Sequence, residues 1–410
     1  MGLAPPRGTG ATGFAVSGRR FLVAAFGDAG HAFPAIALAR ALRGRGHEVL
    51  VETWERWRDA VESEGLGFTA AEEYRTFPPP EPDSAGWRTA AHAALALEPL
   101  MDDFQPDVVV SDILTLAPAL AAEREGRRWA TLIPHVYPVH EPGLPFFAFG
   151  LQPPRTPIGR AVWRRALPVL ESGLRRGRRE MNETRAAIGL PPLERFHGGI
   201  SRELALVATF PQLEYPRRWP SAVHITGPMQ FELPYPDIEL PDGNEPLVLV
   251  APSTAQDPEL RLVRVALQAL ADEPVRAVAT TNRLGETPQL PAPANAVIVD
   301  WLSYSQLLPQ ASLVICHGGH GTVARALAAG VPVLCCPHVG DMAENGARVA
   351  WAKAGLMVPW RLLGARSVRA AARRILADRG FAERAGEIAA WSRRHDGVER
   401  GAELVEQVAA

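Results

Sequence analysis

Short apolar runs, several of them rich in β-branched residues, alternate along this chain with stretches of helical composition. This alternation is typical of parallel β-sheets whose strands are connected by helices. It predicts an α/β protein, and 410 residues are enough for two domains with separate cores. The predicted strands are Phe21–Phe26, His47–Thr53, Asp107–Ser111, Trp129–Ile133, Leu247–Ala251, Val275–Thr281, Ala296–Val299, Leu313–Cys316 and Val331–Cys336.

The segments between these strands indicate how the chain is divided. A helix is predicted to begin at Pro34 after the first strand, and another to span Pro258–Ala271. Residues 231–246 are rich in proline and acidic side chains and lack periodicity, which predicts a linker. Two sheets joined in this way predict a cleft in which ligands bind at the carboxyl ends of the strands. Residues 1–19 are rich in glycine and proline and are predicted to be a disordered tail.

Charge and cysteine content exclude several classes of function. The formal net charge is −2, so no basic field attracts nucleic acid. The three cysteines lie in apolar runs, which does not fit a secreted disulfide scaffold. The chain shows neither a signal peptide nor eighteen consecutive apolar residues. These observations predict a cytoplasmic protein without stable membrane insertion.

A glycine-rich motif directly follows the predicted strand Leu313–Cys316 and opens a helix. Glycines allow a ligand to approach the backbone closely, and the free amides at a helix N-terminus bind anions. A histidine and a threonine in the motif add further donors, so it predicts a diphosphate site that needs no metal. A glycine-rich turn capped by the threonine is the simpler alternative. The motif consists of His317, Gly318, Gly319, His320, Gly321 and Thr322.

Three other chemistries fit the sequence less well. A zinc site is the first, but Cys316 and His317 are consecutive and point to opposite faces of a strand. The Gly-x-Gly-x-x-Ala string from Gly65 to Ala70 does not open a helix, so it is a poor dinucleotide motif. A hydrolase triad built on Ser253 lacks the surrounding Gly-x-Ser-x-Gly turn.

Aromatic residues are unevenly distributed. Of the 29 Phe, Trp and Tyr residues, 23 lie at or before Tyr235. Packing of bulky side chains in the first core is one explanation. The other is a pocket for a flat apolar ligand in the first domain. The second explanation is favoured because six aromatic residues lie in stretches that resemble loops: Phe77, Trp87, Tyr137, Phe146, Phe147 and Phe149.

The stretch HGGHGTVARALAAGVPVLCCPHVGDMAEN, from His317 to Asn345, resembles the donor-binding signature of GT-B nucleotide-sugar glycosyltransferases. The resemblance is strongest to the actinobacterial enzymes that glycosylate natural products. In the first half, Gly30-His31-x-x-Pro34 resembles the catalytic-histidine loop of this family, and Asp112 matches the aspartate that partners that histidine. Gly227-Pro228 matches the dipeptide at which the family's first domain ends.

The resemblance implies the GT-B fold, in which two Rossmann-like domains face a cleft and a C-terminal helix returns to the N-terminal domain. It implies an inverting transfer from a nucleotide sugar, without metal or other cofactor, to a hydrophobic polyketide or aromatic acceptor. The chain would act as a monomer or homodimer. The implied divisions are an acceptor domain at 20–230, the linker at 231–246, a donor domain at 247–379 and C-terminal helices at 380–410.

The implied roles agree with the chemistry of the residues. A neutral imidazole is a suitable base for a hydroxyl near pH 7, and a carboxylate on its other nitrogen fixes the tautomer. His31 is therefore the expected base and Asp112 its partner. By resemblance, Trp301 stacks on the nucleobase and Asp341 holds sugar hydroxyls. The expected donor-binding residues are Ser253, Thr254, Trp301, Leu302, His317, Gly319, His320, Gly321, Thr322, Asp341 and Met342.

Two positions depart from the family pattern. Arg325 stands where plant relatives have a glutamate that binds the ribose, and it either leaves that role empty or binds phosphate. Met342 stands where the family has a glutamine that binds sugar hydroxyls. A thioether cannot donate to a hydroxyl, and a buried hydroxyl without a partner is disfavoured. Both changes favour a dTDP-deoxysugar over UDP-glucose.

Three alternatives remain at the level of the sequence. A catalytically silent helper of another glycosyltransferase would not need both His31 and Asp112. A nucleotide-sugar epimerase of the same shape would not need an aromatic acceptor pocket. A lipid acceptor is the third, because an arginine cluster near Trp163 has the charge to approach an anionic membrane. That cluster, equally compatible with a solvated helix face, consists of Arg175, Arg176, Arg178 and Arg179.

Overall fold

The computed structural model describes residues 18–71, 86–194, 199–253, 257–283, 285–286 and 290–410, except for the side chains of residues 86–88 and 170. Phe77, Thr254 and nearly all of the predicted N-terminal tail lie outside the described residues. Trp87 lies within a helix, but its side chain is outside the described part.

The first half of the chain forms a parallel sheet of seven strands among the described residues, in the order β3-β2-β1-β4-β5-β6-β7. Helices cover both faces, so the central strands are largely apolar; all five residues of β4 are buried, including Ser111 and Asp112 at its end. The strands are β1 (Arg20–Ala24), β2 (Glu48–Thr53), β3 (Gly67–Ala70), β4 (Val108–Asp112), β5 (Arg128–Ile133), β6 (Ala205–Val207) and β7 (Val223–Ile225). The helices are α1 (Ala29–Gly44), α2 (Arg58–Ser63), α3 (Gly86–Ala96), α4 (Glu98–Phe104), α5 (Leu116–Arg124) and α6 (Pro157–Ala187).

The second half forms a parallel sheet of six strands within the described ranges, in the order β10-β9-β8-β11-β12-β13. The strands are β8 (Leu247–Ala251), β9 (Arg276–Thr280), β10 (Ala296–Val299), β11 (Ala311–Cys316), β12 (Val333–Cys335) and β13 (Gly355–Met357). The helices are α7 (Arg261–Leu270), α8 (Tyr304–Leu307), α9 (His320–Ala328), α10 (Asp341–Trp351), α11 (Ala365–Ala377), α12 (Arg379–Ser392) and α13 (Gly397–Ala409). Each sheet reverses its winding beside a central strand, β1 or β8, which is where α/β sheets bind ligands.

The nine predicted strands are all present, with ends within two residues of those observed. The sequence analysis missed β3, β6, β7 and β13, which have only three or four residues each. The prediction that a helix begins at Pro34 is wrong, because α1 begins at Ala29 and contains Pro34. His31 therefore lies in the first turn of a helix, which holds it more rigidly than a loop would.

The C-terminal helix α13 packs against the N-terminal domain, as the resemblance predicts. The Glu406 carboxylate accepts hydrogen bonds from Arg45 Nε at 2.8 Å and from His47 Nε2 at 2.7 Å. At Gly397, the first residue of this helix, the chain passes close to Gly227, where it first leaves the N-terminal domain. A Cβ at Gly397 would lie 2.5 Å from the Gly227 carbonyl oxygen, so only glycine permits this approach. The two crossings between the domains thus touch each other.

The linker contains neither helix nor strand; Phe231 packs in the core of the N-terminal domain, whereas Ile238 and Leu240 pack against the C-terminal domain. The Glu232 carboxylate accepts from the backbone amides of Tyr304 and Ser305, and so caps the start of α8. The Tyr235 hydroxyl donates to Asp300 at 2.6 Å. Arg325 donates to the Phe231 carbonyl oxygen at 2.6 Å, which fixes the beginning of the linker to α9.

A buried ion-pair network also joins the two domains, between α10 and the segment that connects β6 to β7. Arg348 of α10 contacts Glu214 of the N-terminal domain at 2.6 Å and Glu344 of its own helix at 2.9 Å. All three side chains are at most 4% exposed. Burial raises the pKa of both carboxyls, although the Arg348 charge opposes that rise. The guanidinium also lies 4.2 Å from the centre of the Tyr215 ring, so the network fixes how the domains face each other.

Candidate active site

A histidine–aspartate pair lies at the carboxyl edge of the N-terminal sheet. His31 Nδ1 is 2.7 Å from Asp112 Oδ2, and the Asp112 side chain is completely buried. The other carboxylate oxygen, Oδ1, accepts from the Leu114 amide at 2.9 Å, which fixes the orientation of the carboxylate. The pair joins the first turn of α1 to the last residue of β4. Because Nδ1 donates to the carboxylate, His31 Nε2 carries the lone pair and is the nitrogen available to a substrate.

The surroundings of His31 strengthen it as a base. Burial lowers its pKa, but the charge of Asp112 and the hydrogen bond to it outweigh burial, so the net shift is upward. The ring lies edge-on to Phe26, with 6.0 Å between the ring centres. An imidazole with a raised pKa and a fixed tautomer suits proton abstraction near neutral pH.

The glycine-rich motif lies where the sequence places it, between β11 and α9. Gly318 has a φ of +88°, and a Cβ there would lie 2.7 Å from the Met342 carbonyl oxygen. Asn345 Nδ2 donates to the Gly318 carbonyl oxygen at 3.0 Å. The glycine-rich loop and the first turns of α10 are therefore packed directly on each other, and a side chain at Gly318 would separate them.

The two histidines of the motif are held differently. His317 Nδ1 lies 3.3 Å from the Ala251 carbonyl oxygen, and burial lowers the pKa of His317. His320 lies 3.2 Å from the Ala208 carbonyl oxygen of the N-terminal domain through Nε2. Burial, with the nearby His135, lowers the pKa of His320 to about 4. Both rings are thus neutral near pH 7, and His320 joins the two domains directly.

The cleft brings the histidine–aspartate pair close to the glycine-rich helix. A small pocket between the domains is lined by Gly30 and Phe33 of α1 and by His320 and Gly321 of α9. Asp341, the first residue of α10, adds a negative charge that favours the protonated form of both His31 and His317, although burial still leaves the pKa of His317 lowered. The Asp341 charge thus acts on both the histidine–aspartate pair and the glycine-rich motif, which shows that these groups lie near each other.

Residues expected near the nucleobase lie beyond β10. Trp301 is half-buried, and its amide donates to the Asp300 carboxylate at 2.8 Å. Leu302 and Ser253 are buried. Arg325, considered above as a phosphate ligand, donates to the linker and lies 5.5 Å from the centre of the Tyr304 ring. These contacts give Arg325 a structural role instead.

The predicted acceptor aromatics separate into two groups. Phe146 contacts Phe149 and Trp163 edge-on, with ring centres 5.9 Å and 4.8 Å apart, and Phe149 is 67% exposed. Tyr137 is instead buried in the N-terminal core beside Trp219, which argues against contact with an acceptor. Phe147 is half-buried and belongs to the first group by position.

The loop that carries these phenylalanines crosses to the donor domain. Gly150 has a φ of +65°, and a Cβ there would lie 2.9 Å from the Ala343 Cβ of α10. Gln152 donates to the Ala347 carbonyl oxygen of the same helix at 3.3 Å. The loop that carries the phenylalanines and the helix α10 therefore border the same part of the cleft.

One residue in the cleft was missed by the sequence analysis. His135 follows β5 and is buried, and its ring centre lies 6.1 Å from that of His31. On its other side it stacks on Phe147, with 5.6 Å between ring centres. No motif surrounds His135. The only available signal was its position two residues after a strand that runs parallel to the one ending in Asp112.

The zinc alternative has no geometric support among the described residues, where no three His, Cys, Asp or Glu side chains gather as metal ligands. The three cysteines are buried, and Cys316 pairs in register with Cys335.

In the described part of the chain, no helix has the length and apolar character needed to cross a bilayer. Arg175 and Arg176 form ion pairs within α6, with Glu171 at 3.9 Å and Glu180 at 2.8 Å.

Comparison with known proteins defines the class first. Residues 264–395 match the family described as "Erythromycin biosynthesis protein CIII-like, C-terminal domain", and residues 35–179 match "Glycosyltransferase Family 4". The crystal structure of the glycotransferase of kitacinnamycin has a TM-score of 0.76 at 21% identity, covering 95% of this chain and 99% of that one. SsfS6 from Streptomyces sp. SF2575, complexed with thymidine diphosphate, has a TM-score of 0.62 at 22% identity, covering 95% and 99%. The architecture is that of the GT-B glycosyltransferases.

Full-length relatives define the family. The 4'-demethylrebeccamycin synthase of Lentzea aerocolonigenes is 30% identical over 95% of this chain and 99% of its own length. The O-mycaminosyltylonolide 6-deoxyallosyltransferase of Streptomyces fradiae is 28% identical over 95% and 97%. The chain belongs to the GT-B glycosyltransferases of natural-product biosynthesis, and it is a transferase that moves a sugar to a secondary-metabolite acceptor.

Proposed function

We propose that the protein is an inverting glycosyltransferase that moves a deoxysugar from a dTDP-sugar to a flat, hydrophobic natural product. The observation that carries the proposal is the 2.7 Å contact between His31 and buried Asp112, close to the glycine-rich motif because the Asp341 charge acts on both His31 and His317. Two of the similar proteins support the sugar and the nucleotide: one is named a 6-deoxyallosyltransferase, and another was solved with thymidine diphosphate.

The proposed reaction begins with proton transfer. His31 Nε2 removes the proton from the acceptor hydroxyl, and the oxygen attacks the anomeric carbon of the sugar. The bond from that carbon to the diphosphate oxygen breaks on the opposite face, which inverts the configuration. Asp112 stabilises the imidazolium that forms, because its carboxylate is already bonded to Nδ1. General-base assistance of this kind contributes about 10²–10⁴-fold.

The leaving diphosphate collects negative charge, which the motif is built to receive. We assign it to the free amides of Gly321 and Thr322 and to His317. Because Nδ1 of His317 faces the Ala251 carbonyl oxygen, its Nε2 can donate only when the ring takes up a proton, which a bound diphosphate favours. A helix N-terminus carries roughly half a positive charge and needs no reorganisation during the reaction. Asp341, in the first turn of α10, is the proposed partner of the sugar hydroxyls.

Activity should survive complete removal of divalent metal ions. The helix amides and His317 supply the charge stabilisation that a cation would otherwise provide. We expect the initial rate in excess EDTA to equal the rate in Mg²⁺, measured by release of dTDP from enzyme first dialysed against chelator. A rate that falls in EDTA and returns with Mg²⁺ would show that the diphosphate is not held as proposed.

Replacing Met342 by glutamine should shift donor preference toward UDP-glucose. Met342 lies in the first turn of α10 with its backbone against Gly318, beside the proposed diphosphate site. An unpaired sugar hydroxyl in a closed site costs about 1–3 kcal/mol, or roughly ten- to a hundredfold in selectivity. The measurement is the ratio of kcat/KM for UDP-glucose and a dTDP-deoxysugar in both proteins. A wild type that already prefers UDP-glucose tenfold would contradict the proposed donor.

A further inference from the structure

The inference concerns His135, which the mechanism above does not use. It lies between the proposed base and the aromatic loop, with ring centres 6.1 Å from His31 and 5.6 Å from Phe147. Its side chain is among the few buried polar ones on the cleft side of the N-terminal sheet. A histidine in this place is next to whatever molecule reaches His31 Nε2.

The backbone fixes which nitrogen of His135 carries the proton. Nδ1 lies 2.7 Å from the Val136 carbonyl oxygen, and because a carbonyl only accepts, Nδ1 must donate. In the neutral ring Nε2 then bears the lone pair. Burial and the neighbouring His31 both lower the pKa of His135, which keeps the ring neutral. Nε2 has no hydrogen-bond partner among the described residues, so the cleft contains an unused hydrogen-bond acceptor.

The separation of His31 and His135 bears on which groups of one ligand can bind the two Nε2 atoms. Each Nε2 binds an O–H or N–H group at about 2.7–3.2 Å. Ring centres 6.1 Å apart make the two imidazoles neighbours, close enough for two donor groups on adjacent carbons of one ring system to reach one imidazole each. Stacking of His135 on Phe147 defines a flat boundary beside such a ring.

We propose that His135 is a specificity residue for the acceptor. Its Nε2 accepts a hydrogen bond from a second O–H or N–H group that lies next to the hydroxyl attacked by the sugar. The acceptor class is therefore a flat molecule with two neighbouring hydrogen-bond donors, of which His31 deprotonates one and His135 holds the other. This inference rests on the proposed function, since it takes His31 as the base.

The test compares two acceptors that differ in one group: 2,3-dihydroxynaphthalene and 3-methoxy-2-naphthol. Methylation removes the second donor and leaves the attacked hydroxyl in place. With a dTDP-deoxysugar as donor, we expect wild-type kcat/KM to favour the diol by about tenfold or more, since an unpaired buried group is penalised in this way. His135→Phe, which keeps the contact with Phe147 but has no lone pair, should lower the ratio to about one.

His135→Gln is the conservative variant, because its amide oxygen can accept at about the position of Nε2. It should retain most of the preference for the diol. A merely structural role for His135 would instead lower kcat/KM for both naphthols alike. His224→Phe, on the edge strand β7, is the matched control and should keep the wild-type ratio. Binding of both naphthols in the presence of dTDP, measured by calorimetry, should show the same preference without turnover.

The outcomes separate this inference from the proposed function. Equal ratios in wild type and His135→Phe would overturn the role of His135 and leave the reaction intact. A loss of the preference in His135→Gln that matches the loss in His135→Phe would also overturn it. A wild type that glycosylates neither naphthol would contradict the proposed flat aromatic acceptor, and with it the inference.

Discussion

Replacing His31 by alanine is expected to lower kcat at least about a hundredfold, or roughly 2.7 kcal/mol in the barrier. The affinity for the donor should change little, because the proposed diphosphate site lies on the other domain. Turnover of an alcohol or weakly acidic phenol, together with dTDP affinity from calorimetry, checks both parts. Substantial activity with an ordinary alcohol would exclude His31 as the base. A strongly acidic phenol needs little proton abstraction and should retain much of its rate.

The pH dependence provides an independent readout of the same pair. His31 must be neutral to act, so kcat/KM should fall as the pH drops through its pKa, which lies above the ordinary value of about 6.5. Asp112 raises that pKa through its charge and its hydrogen bond. Asp112→Asn should therefore move the acid limb to lower pH while it reduces the plateau, and should be less severe than His31→Ala. An acid limb that stays in place would mean that another group controls the profile.

Replacing Arg348 by methionine should destabilise the protein strongly. The substitution leaves Glu214 and Glu344 buried without their cation, and removing one partner of a buried ion pair costs about 3–5 kcal/mol. Thermal unfolding, followed by circular dichroism, should show a Tm lowered by several degrees or more. The loss should also appear in activity, because the network fixes the two domains relative to each other.

The direction in which this destabilisation changes with pH follows from the carboxyl groups of Glu214 and Glu344. Burial already raises the pKa of Glu214 and Glu344, and loss of Arg348 removes the charge that opposes the rise. The folded variant then favours protonated carboxyls, so its deficit relative to wild type should grow from pH 5 to pH 8. Arg373→Met is the control: the Arg373 side chain is 67% exposed and its partner Glu273 keeps a second arginine, Arg369, at 3.3 Å, so the Tm should stay near that of the wild type. A deficit independent of pH would contradict this account.

Much of the fold could be predicted from the sequence, because parallel strands covered on both faces are apolar along their whole length. The strands missed by this criterion are short: β3 has four residues and no buried one, β13 has one buried residue of three, and β6 is fully buried but has only three residues. The start of α1 was misjudged because proline is favoured in the first turn of a helix. Here Pro34 lies further along, and its missing amide did not end the helix.

The site could be predicted only where its residues form a local motif. The glycine-rich loop and the first turn of α10 belong to one continuous stretch of sequence, so a motif could identify both. In the structure they pack on each other through Gly318 and Met342. His135 belongs to no such motif. Its proposed role depends on two spatial neighbours: His31, which is distant in sequence, and Phe147, which lies in the following loop. The pairing of Arg348 with Glu214 spans 134 residues and depends on how the domains meet.

The return of α13 to the first domain has a consequence for exchanging parts between related enzymes. A chimera that joins one acceptor domain to another protein's complete C-terminal half would carry a foreign last helix, with no matching partners for Arg45 and His47. A graft with two junctions, one after Gly227 and one before Gly397, replaces the donor half and keeps the native helix. Because both glycines touch at the same place, the two seams would lie side by side and disturb one small region instead of two.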